Sequence, residues 1–300
     1  MGALLGFANL NKPAGVSSHD CINRVRRSLG IKRVGHGGTL DPLATGVLPV
    51  AVGRATRLLR FLPEGKAYRA TIRLGVRTAT DDLEGEALER QPVPALDAET
   101  IAATLARSEG EIAQQPPAYS AIKQHGKRAY ELARAGQAVA IPARTVRLDR
   151  IRLLDWRVAP QPELKVAIDC GPGTYVRALA RDVGAALGTV GTLAALVRTA
   201  SCGFELEQSV PPEQLERQAS EGSVALVPPE RGLAHLAAVV LPSREARRWC
   251  QGQTLAQPAS IGQPGAFVRV QDEGGGLLGI GKLAAAETLL LKPEVVLAPG

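Results

Sequence analysis

The sequence predicts a mixed α+β protein that ends in a small β-rich domain. Three observations carry that prediction. Lys66 to Gly75, "KAYRATIRLG", alternates strictly, with Tyr68, Ala70, Ile72 and Leu74 on one face and Arg69, Thr71 and Arg73 on the other. That is the signature of a half-buried strand. His19 to Leu29 and Tyr175 to Val183 instead space their apolar residues as helices do: Ile22, Val25 and Leu29 in the first, Val176, Leu179, Ala180 and Val183 in the second. After Leu241 the chain changes character, with one helix begun by "PSREARRW" and then short strands separated by "GQPG", "DEGGG" and "LKPE".

The elements follow in order. "GFANLNKPAGVSS" reads as a strand and a turn, with Ser18 placed to cap the helix His19–Leu29 and Gly30 to end it. A glycine-rich loop, "GHGGTLDPLATG", occupies residues 35–46. "GVLPVAVG" returns as a buried strand and "ATRLLRFL" as a short helix. Asp97 caps a helix through Leu105. The proline pair and central glycine of "QQPPAYSAIKQHGKRAYELARAG" favour an exposed excursion with a short helix near Arg128–Arg134. "LKVAIDC", Leu164 to Cys170, alternates as a second strand, and "GPGT" turns into the helix that carries Arg177 and Arg181 four residues apart on its polar side. "GTLAALVRTASCGF" leads toward a further strand, and "QSVPPEQL" and "ALVPPERGL" mark proline-rich boundaries. The expected division is 1–235 and 236–300.

With 300 residues and 45% hydrophobic content, the chain can bury a sizeable core. A net charge of +7 and a pI near 9.5 draw polyanions toward it. Cys21, Cys170, Cys202 and Cys250 form no C-x-x-C pair, and His19, His36, His125 and His235 are equally scattered. No zinc-ligand spacing exists, so neither a metal nor a cofactor is expected. Scattered thiols fit a reducing compartment. The apolar run at the start is too short for a signal peptide and no window is long enough for a membrane span, so a cytoplasmic protein is expected. Without a heptad or an isologous apolar stripe, a monomer is expected.

The chemistry concentrates around Asp41. An Asp before Pro in a turn ordinarily satisfies local backbone donors. Here Gly35, Gly37, Gly38 and Gly46 strip side chains from around one acid, which lets something large approach the backbone. The loop lacks the G-K-[ST] ending that cradles nucleotide phosphates. His36, on the same exposed turn, can stack in or hydrogen-bond to a nucleic acid. Tyr68 lies on the apolar face of its strand, near the end where a side chain can open onto a cleft. Tyr175 and Arg177 follow the "GPG" turn at a helix start, and a carboxylate that must meet a polyanion needs a guanidinium such as Arg177 to offset the repulsion.

These segments together resemble a known family. "KPAGVSS", "VRRSLGIKRVGHGGTLDPLATGVLPVAVGRATR", "KAYRATIRLG", "PPAYSAIKQHGKRAYELAR", "CGPGTYVRALARDVG" and "LAALVRT", in this order over nearly the whole chain, resemble the bacterial TruB-type tRNA pseudouridine synthases, which modify uridine 55. The tail, with "GLLGIGKL" and "LKPEVVL", resembles a PUA-type RNA-binding domain more loosely. The resemblance implies a pseudouridine synthase fold on a central, mainly antiparallel sheet, with tRNA, through its T-arm, as the partner. It implies Asp41 as the essential aspartate, Tyr68 as the tyrosine packed on the target base and involved in proton removal, and Arg177 as the partner of the aspartate. It further implies Tyr175 and Leu196 in the uracil pocket, His36 in the space vacated by flipped bases, and residues of about 114–143, including Lys123 and Arg128, as a thumb-like insertion closing on RNA. Lys12 and Lys66 fall in blocks tied to fold and backbone contact. Val197 departs from the family, where arginine is common.

Pseudouridine formation breaks an N–C glycosidic bond and rebuilds it as C–C, so the nucleotide must first leave its stack. A carboxylate then acts at the electron-poor ribose. A covalent ribosyl adduct, a base adduct and a glycal all remain open as intermediates. Two alternatives stand beside it: a tRNA-binding or folding chaperone that uses the same surface and does not need Asp41, and a base deaminase, which also flips its target. The deaminase needs an H-x-E…P-C-x-x-C zinc site, and "HGG" with isolated cysteines argues against it. A guide-RNA-dependent synthase is a further alternative, and short termini without basic tails favour an enzyme that works alone.

Overall fold

The computed structural model describes residues 4–120, 122–124, 127–129 and 141–297. A nine-stranded sheet forms its larger part. Its strands are β1 (Gly6–Lys12), β2 (Val34–His36), β3 (Thr45–Val52), β4 (Lys66–Leu74), β7 (Gly110–Gln114), β10 (Arg144–Arg157), β11 (Glu163–Cys170), β12 (Gly191–Ser201) and β13 (Phe204–Glu205). The spatial order is β1-β3-β12-β4-β11-β10-β7, with β2 beside β3 and β13 beside β12. Two short hairpins stand apart from it, β5 (Val76–Thr78) with β6 (Ala87–Arg90) and β8 (Lys123–Gln124) with β9 (Lys127–Arg128).

The sheet is antiparallel apart from one pairing. β12 runs parallel to β3 at Val197↔Thr45 and Arg198↔Gly46. This is the point where the chain leaves the Asp41 loop. Gly46 makes the pairing possible: its φ is +102°, and a Cβ there would lie 2.3 Å from the carbonyl oxygen and 2.9 Å from the nitrogen of Arg198. Backbone on both sides cannot yield as a flexible side chain does. Gly46→Ala is therefore expected to cost about 2–3 kcal/mol of stability in urea unfolding. Gly35→Ala, which meets only the tips of Leu59 and Thr56 at 3.4 and 3.6 Å, is expected to stay within about 1 kcal/mol of the parent. Equal stabilities would contradict the packing argument.

One face of the sheet is dry. Tyr68, Ala70, Ile72 and Leu74 of β4 pack with Val166 and Ile168 of β11, Leu193 and Leu196 of β12, and the apolar sides of two helices, α2 (Ala98–Ala106) and α3 (Val176–Ala186). Strict alternation along β4 sends exactly that set to one side. Asp97 caps α2 by accepting from Thr100 N–H at 2.7 Å. The N-cap of α1 (Ser18–Leu29) is Ser17 rather than Ser18: Ser17 and Asp20 form a capping box, and Gly30 closes the helix at φ +64°. Ser18 is used elsewhere, in the Asp41 loop. A second core lies under β1 and β3, where α1 and α4 (Pro212–Ser220) cover Leu10, Leu48 and Val50.

The C-terminal part is a five-stranded sheet in the order β14-β16-β17-β18-β15, formed by β14 (Ala238–Leu241), β15 (Leu255–Gln257), β16 (Phe267–Asp272), β17 (Leu277–Ala284) and β18 (Leu289–Val296), packed on α5 (Ser243–Cys250) around fully buried Trp249. It joins the larger part through a 3₁₀ helix, Gly53–Phe61. Three residues per turn place Arg54, Arg57 and Arg60 on one side. Arg54 and Arg57 donate to the carbonyls of Leu297 and Val296 at 2.9 and 2.8 Å, and Arg60 pairs with Glu294. Phe61 meets Phe267 edge-on, with ring centroids 5.0 Å apart. Among the described residues no helix is long and apolar enough to cross a membrane.

Candidate active site

The Asp41 loop runs from His36 at the end of β2 to Thr45 at the start of β3, and the protein holds it residue by residue. Gly37 N–H donates to Pro49 O at 2.8 Å, and Gly37 O accepts from the Cys202 thiol at 3.3 Å. The Ser18 hydroxyl accepts from Leu40 N–H at 2.8 Å and donates to Leu40 O at 3.1 Å. These two hydrogen bonds to one residue engage the Ser18 hydroxyl, and the helix cap falls to Ser17. Ala44 N–H closes a turn onto Asp41 O at 3.1 Å.

Two buried cations finish the job. The Lys12 ammonium, with no solvent exposure, donates to the carbonyls of Pro13, Val16 and Pro42 at 2.9, 2.7 and 3.2 Å. Burial draws its pKa below the usual lysine value. The Arg198 guanidinium, equally buried, donates to Val47 O, Thr39 O and Gly38 O at 2.7, 3.3 and 3.0 Å. A charge taken from water must be given hydrogen-bond partners in return, and carbonyl oxygens supply them here.

Two of the four loop glycines, Gly37 and Gly46, serve this internal packing. A Cβ on Gly37 would sit 2.9 Å from Cys202 Sγ, and one on Gly46 would strike the Arg198 backbone. Gly38 faces Arg198 and Lys66 at 3.6 and 3.7 Å, and Gly35 faces Leu59. At Gly37 and Gly46 the close neighbour is therefore the protein itself, while Gly35 and Gly38 have ordinary spacing.

Asp41 meets the start of α3. Arg177 grips it with two parallel bonds, Nε to Oδ2 at 2.9 Å and Nη2 to Oδ1 at 3.3 Å. Two further N–H groups of Arg177 donate to Thr80 O at 2.9 Å and Tyr119 O at 3.0 Å. The guanidinium is 7% exposed and the Asp41 side chain 36% exposed. The cation is therefore rigid and hidden, while the carboxylate keeps an open side. Behind the pair stands buried Asp82, its Oδ2 3.6 Å from Arg177 Nε. Asp82 Oδ1 accepts from Thr80 Oγ1 and, at 3.1 Å, from Glu84 N–H. One turn along α3, Arg181 pairs with Asp81 at 2.9 Å, so residues four apart on one helix meet adjacent acids of the β5–β6 hairpin. Burial pushes Asp81 up, against the pull of Arg181. Glu84 is also pushed up, by partial desolvation and by the nearby carboxylates of Asp82 and Asp41.

Tyr68 and Leu196 belong to one buried cluster with Leu40 and Ala44, which flank Asp41 in the chain. Burial pushes the Tyr68 phenol up to about 12, with the Arg198 guanidinium opposing the rise. It is a neutral hydroxyl at physiological pH. His36 is the half-buried last residue of β2, opposite Val50, instead of sitting on an exposed turn. Its Nδ1 accepts from Gly38 N–H at 3.3 Å, and burial, helped by Arg198, lowers its pKa. Tyr175 is the N-cap of α3, tied through its backbone to the Gln114 amide at 2.8 and 3.1 Å. Its ring lies under the Arg144 guanidinium, 4.9 Å from the centroid, and it is not part of the Tyr68–Leu196 cluster. The backbones of Lys123 and Arg128 face each other across the β8–β9 hairpin. Their side chains, and the part of the expected helix beyond Ala129, lie outside the described residues.

Sequence reasoning passed over Asp82 and Arg198. The signal for Asp82 is "TDD" in a hairpin turn, a short acid next to threonine that can bond its own backbone. The signal for Arg198 is a cation that interrupts the apolar run "LAALV" within a strand.

Comparison with known proteins places this geometry among relatives. Residues 26–176 match the model for the N-terminal domain of TruB family pseudouridylate synthases, and residues 237–297 match the C-terminal model of pseudouridine synthase II TruB. The chain is 53% identical to tRNA pseudouridine synthase B of Gloeothece citriformis, over 98% of each chain. It is 53% identical to the protein of that name from Synechococcus elongatus, again over 98% of each, and 52% identical to that from Gloeobacter violaceus, over 97% of this chain and 98% of the relative. Among solved structures, a Cbf5-Nop10-Gar1 complex aligns with a TM-score of 0.75 at 26% identity, and an H/ACA RNP bound to a substrate RNA containing 2′-deoxyuridine with 0.74 at 25%. Each alignment covers 98% of this chain and 85% of the other.

Proposed function

The chain belongs to the TruB family of pseudouridylate synthases, and from that premise we propose that it isomerises uridine 55 in the T-loop of tRNA to pseudouridine, with Asp41 acting on the everted nucleotide. The family makes it an isomerase of uridine in tRNA; the position and the residue roles are the proposal. The observation that carries the roles is the two-bond grip of Arg177 on a carboxylate that still opens to solvent. A guanidinium fork fixes the plane of the carboxylate, and its positive charge offsets the approach of the ribose-phosphate chain. The lone pairs of Asp41 not engaged by Arg177 are then the groups offered to the sugar.

Tyr68 would meet the base. As a neutral phenol set among Leu196, Ile168 and Ala70, it combines an apolar ring, suited to packing on uracil, with one polar atom. Lys12, Ser18 and Arg198 keep the Asp41 loop from moving when the nucleotide enters. That rigidity matters because a displacement of 1 Å at a reacting group costs about 100-fold in rate. Basic residues of the insertion of about 114–143, Lys123 and Arg128 among them, would contact the T-arm, and His36 would fill the space the flipped nucleotide leaves. The basic balance of +7 supports RNA over a small-molecule substrate. Identity of 52–53% to tRNA pseudouridine synthases B, against 25–26% to the H/ACA particle proteins, supports tRNA.

The test is tritium release from tRNA transcripts labelled at C5 of uridine, incubated with the purified chain. Release of about one equivalent per tRNA is expected, lost when U55 is replaced by cytidine and unchanged when other T-loop uridines are replaced. Release that persists without U55 would refute the assigned position. A chaperone that works without Asp41 would improve tRNA folding while releasing no tritium.

A further inference from the structure

We infer that Arg181 is a positioning residue for RNA binding: it pins the root of the 114–143 insertion along α3 and leaves the chemical step to Arg177. The inference rests on the reading, given above, that the insertion contacts the T-arm. The two arginines make the same pair of contacts one helical turn apart. Arg177 Nη1 donates to Thr80 O and its Nη2 to Tyr119 O. Arg181 Nη1 donates to Asp81 Oδ2 and its Nη2 to Gln115 O, both at 2.9 Å. Each guanidinium therefore ties one residue of the β5–β6 hairpin turn to one residue of the insertion's first limb. Gln115 meets helix position 181 and Tyr119 meets position 177, so the limb runs against the direction of α3.

The two arginines differ at Nε. Arg177 directs it to Asp41 Oδ2, whereas Arg181 directs it to Asp182 of its own helix at 2.9 Å. One guanidinium thus carries the reactive carboxylate and the other carries none. The limb between them is built to transmit their placement. Pro116 and Pro117 lie between the two contacts and are buried, and proline fixes φ. Gln115 is the first residue after β7. The other end of the insertion returns to the same place: Arg144, at the start of β10, donates to Gly173 O at 3.0 Å. Both ends therefore dock on residues 173–181. The chain beyond Ser120 starts from a point and a direction that Gln115 and Tyr119 set.

Removing Arg181 leaves the grip on Asp41 intact and frees the limb at one of its two fixed points. The effect should fall on tRNA binding. A Kd about tenfold weaker is expected, the size that loss of one charge-assisted hydrogen bond gives. Single-turnover conversion of saturating tRNA should stay within about threefold of the parent, because the carboxylate keeps its orientation.

The experiment compares three variants of the full chain: Arg181→Met, Asp81→Asn, and the two together. Asp81 sits at φ +59°, a conformation that asparagine adopts readily, and its replacement spares the bonds of Arg181 to Gln115 and Asp182. Filter binding to tRNA transcripts, single-turnover conversion and thermal unfolding are measured on each. The expected Kd pattern is about tenfold weaker in Arg181→Met and in the double variant, and within about twofold of the parent in Asp81→Asn. Stability should follow another order, with the double variant above Arg181→Met, because it leaves no acid without its cation. A merely structural role would make Kd follow Tm across the three, and that result would overturn the inference. So would an unchanged Kd in Arg181→Met, or a conversion that falls as far as binding does. Should Arg181→Met fail to fold, the double variant against Asp81→Asn alone decides. A control carrying Lys123→Ala and Arg128→Ala separates the two readings. If it binds tRNA like the parent, the insertion makes no RNA contact and the inference fails with that reading; if it binds more weakly while Arg181→Met does not, the inference alone fails.

Discussion

Asp41→Asn is expected to abolish isomerisation, with single-turnover conversion of U55 reduced by about 10⁴-fold or more, while the protein stays folded and still binds tRNA. The size follows from the role. Asparagine keeps the shape of the side chain but removes the negative charge, and a neutral amide neither attacks nor relieves a ribose carbon of a proton. The fold should tolerate the change because Arg177 does not depend on Asp41 alone. Its N–H groups also reach Thr80 O and Tyr119 O, and Asp82 lies 3.6 Å away. The guanidinium therefore keeps both hydrogen bonds and a counter-charge. Binding should hold or tighten, since one negative charge is removed from the path of a polyanion. Tritium release separates chemistry from a filter-binding Kd. A variant that turns over at the parent rate would remove Asp41 from the chemistry.

Arg177 is expected to show the second large effect, and to show it in two ways. Arg177→Met leaves Asp82, 5% exposed, without its cation, and frees Asp41 from its orientation. Breaking a buried pair from one side costs about 3–5 kcal/mol, because the other charge is left without compensation. For a chain of this size that lowers Tm by several degrees. Arg177→Lys should recover part of the stability, since a point charge still compensates the acids. It should not recover activity, because an ammonium cannot hold a carboxylate plane with two parallel bonds while reaching two carbonyls. The expected pattern is thus a split: stability in the order arginine, lysine, methionine, but conversion reduced at least about 100-fold in both variants. If lysine restored full conversion, charge alone would suffice and the orienting role would be lost. Thermal unfolding and single-turnover assays on the same preparations give both readings.

Much of the local structure was legible in the chain because it depends on near neighbours. Period-two alternation from Lys66 to Leu74 sets a strand and its dry face whatever packs against it. The four-residue spacing of Arg177 and Arg181 puts them on one side of a helix, and each does find a carboxylate. Asp97 caps the helix it precedes. The choice between Ser17 and Ser18 as a cap was not legible. Both are good caps, and the decision belongs to Leu40, whose backbone claims the Ser18 hydroxyl from another part of the chain.

The sequence by itself marked Asp41 as the acid to watch, a glycine-rich loop around it, and Arg177 as the cation that answers it. These are local facts of residue type and spacing. Only the tertiary structure decided what fills the space beside those glycines, that Asp82 stands behind Arg177, and that Arg198 is turned inward between the Asp41 loop and Tyr68. The reason lies in the range of the forces. Backbone geometry and helical or strand periodicity act over a few residues. A buried cation is stable only where distant segments bring several carbonyls to one point, and that convergence exists only once β3 and β12 have paired.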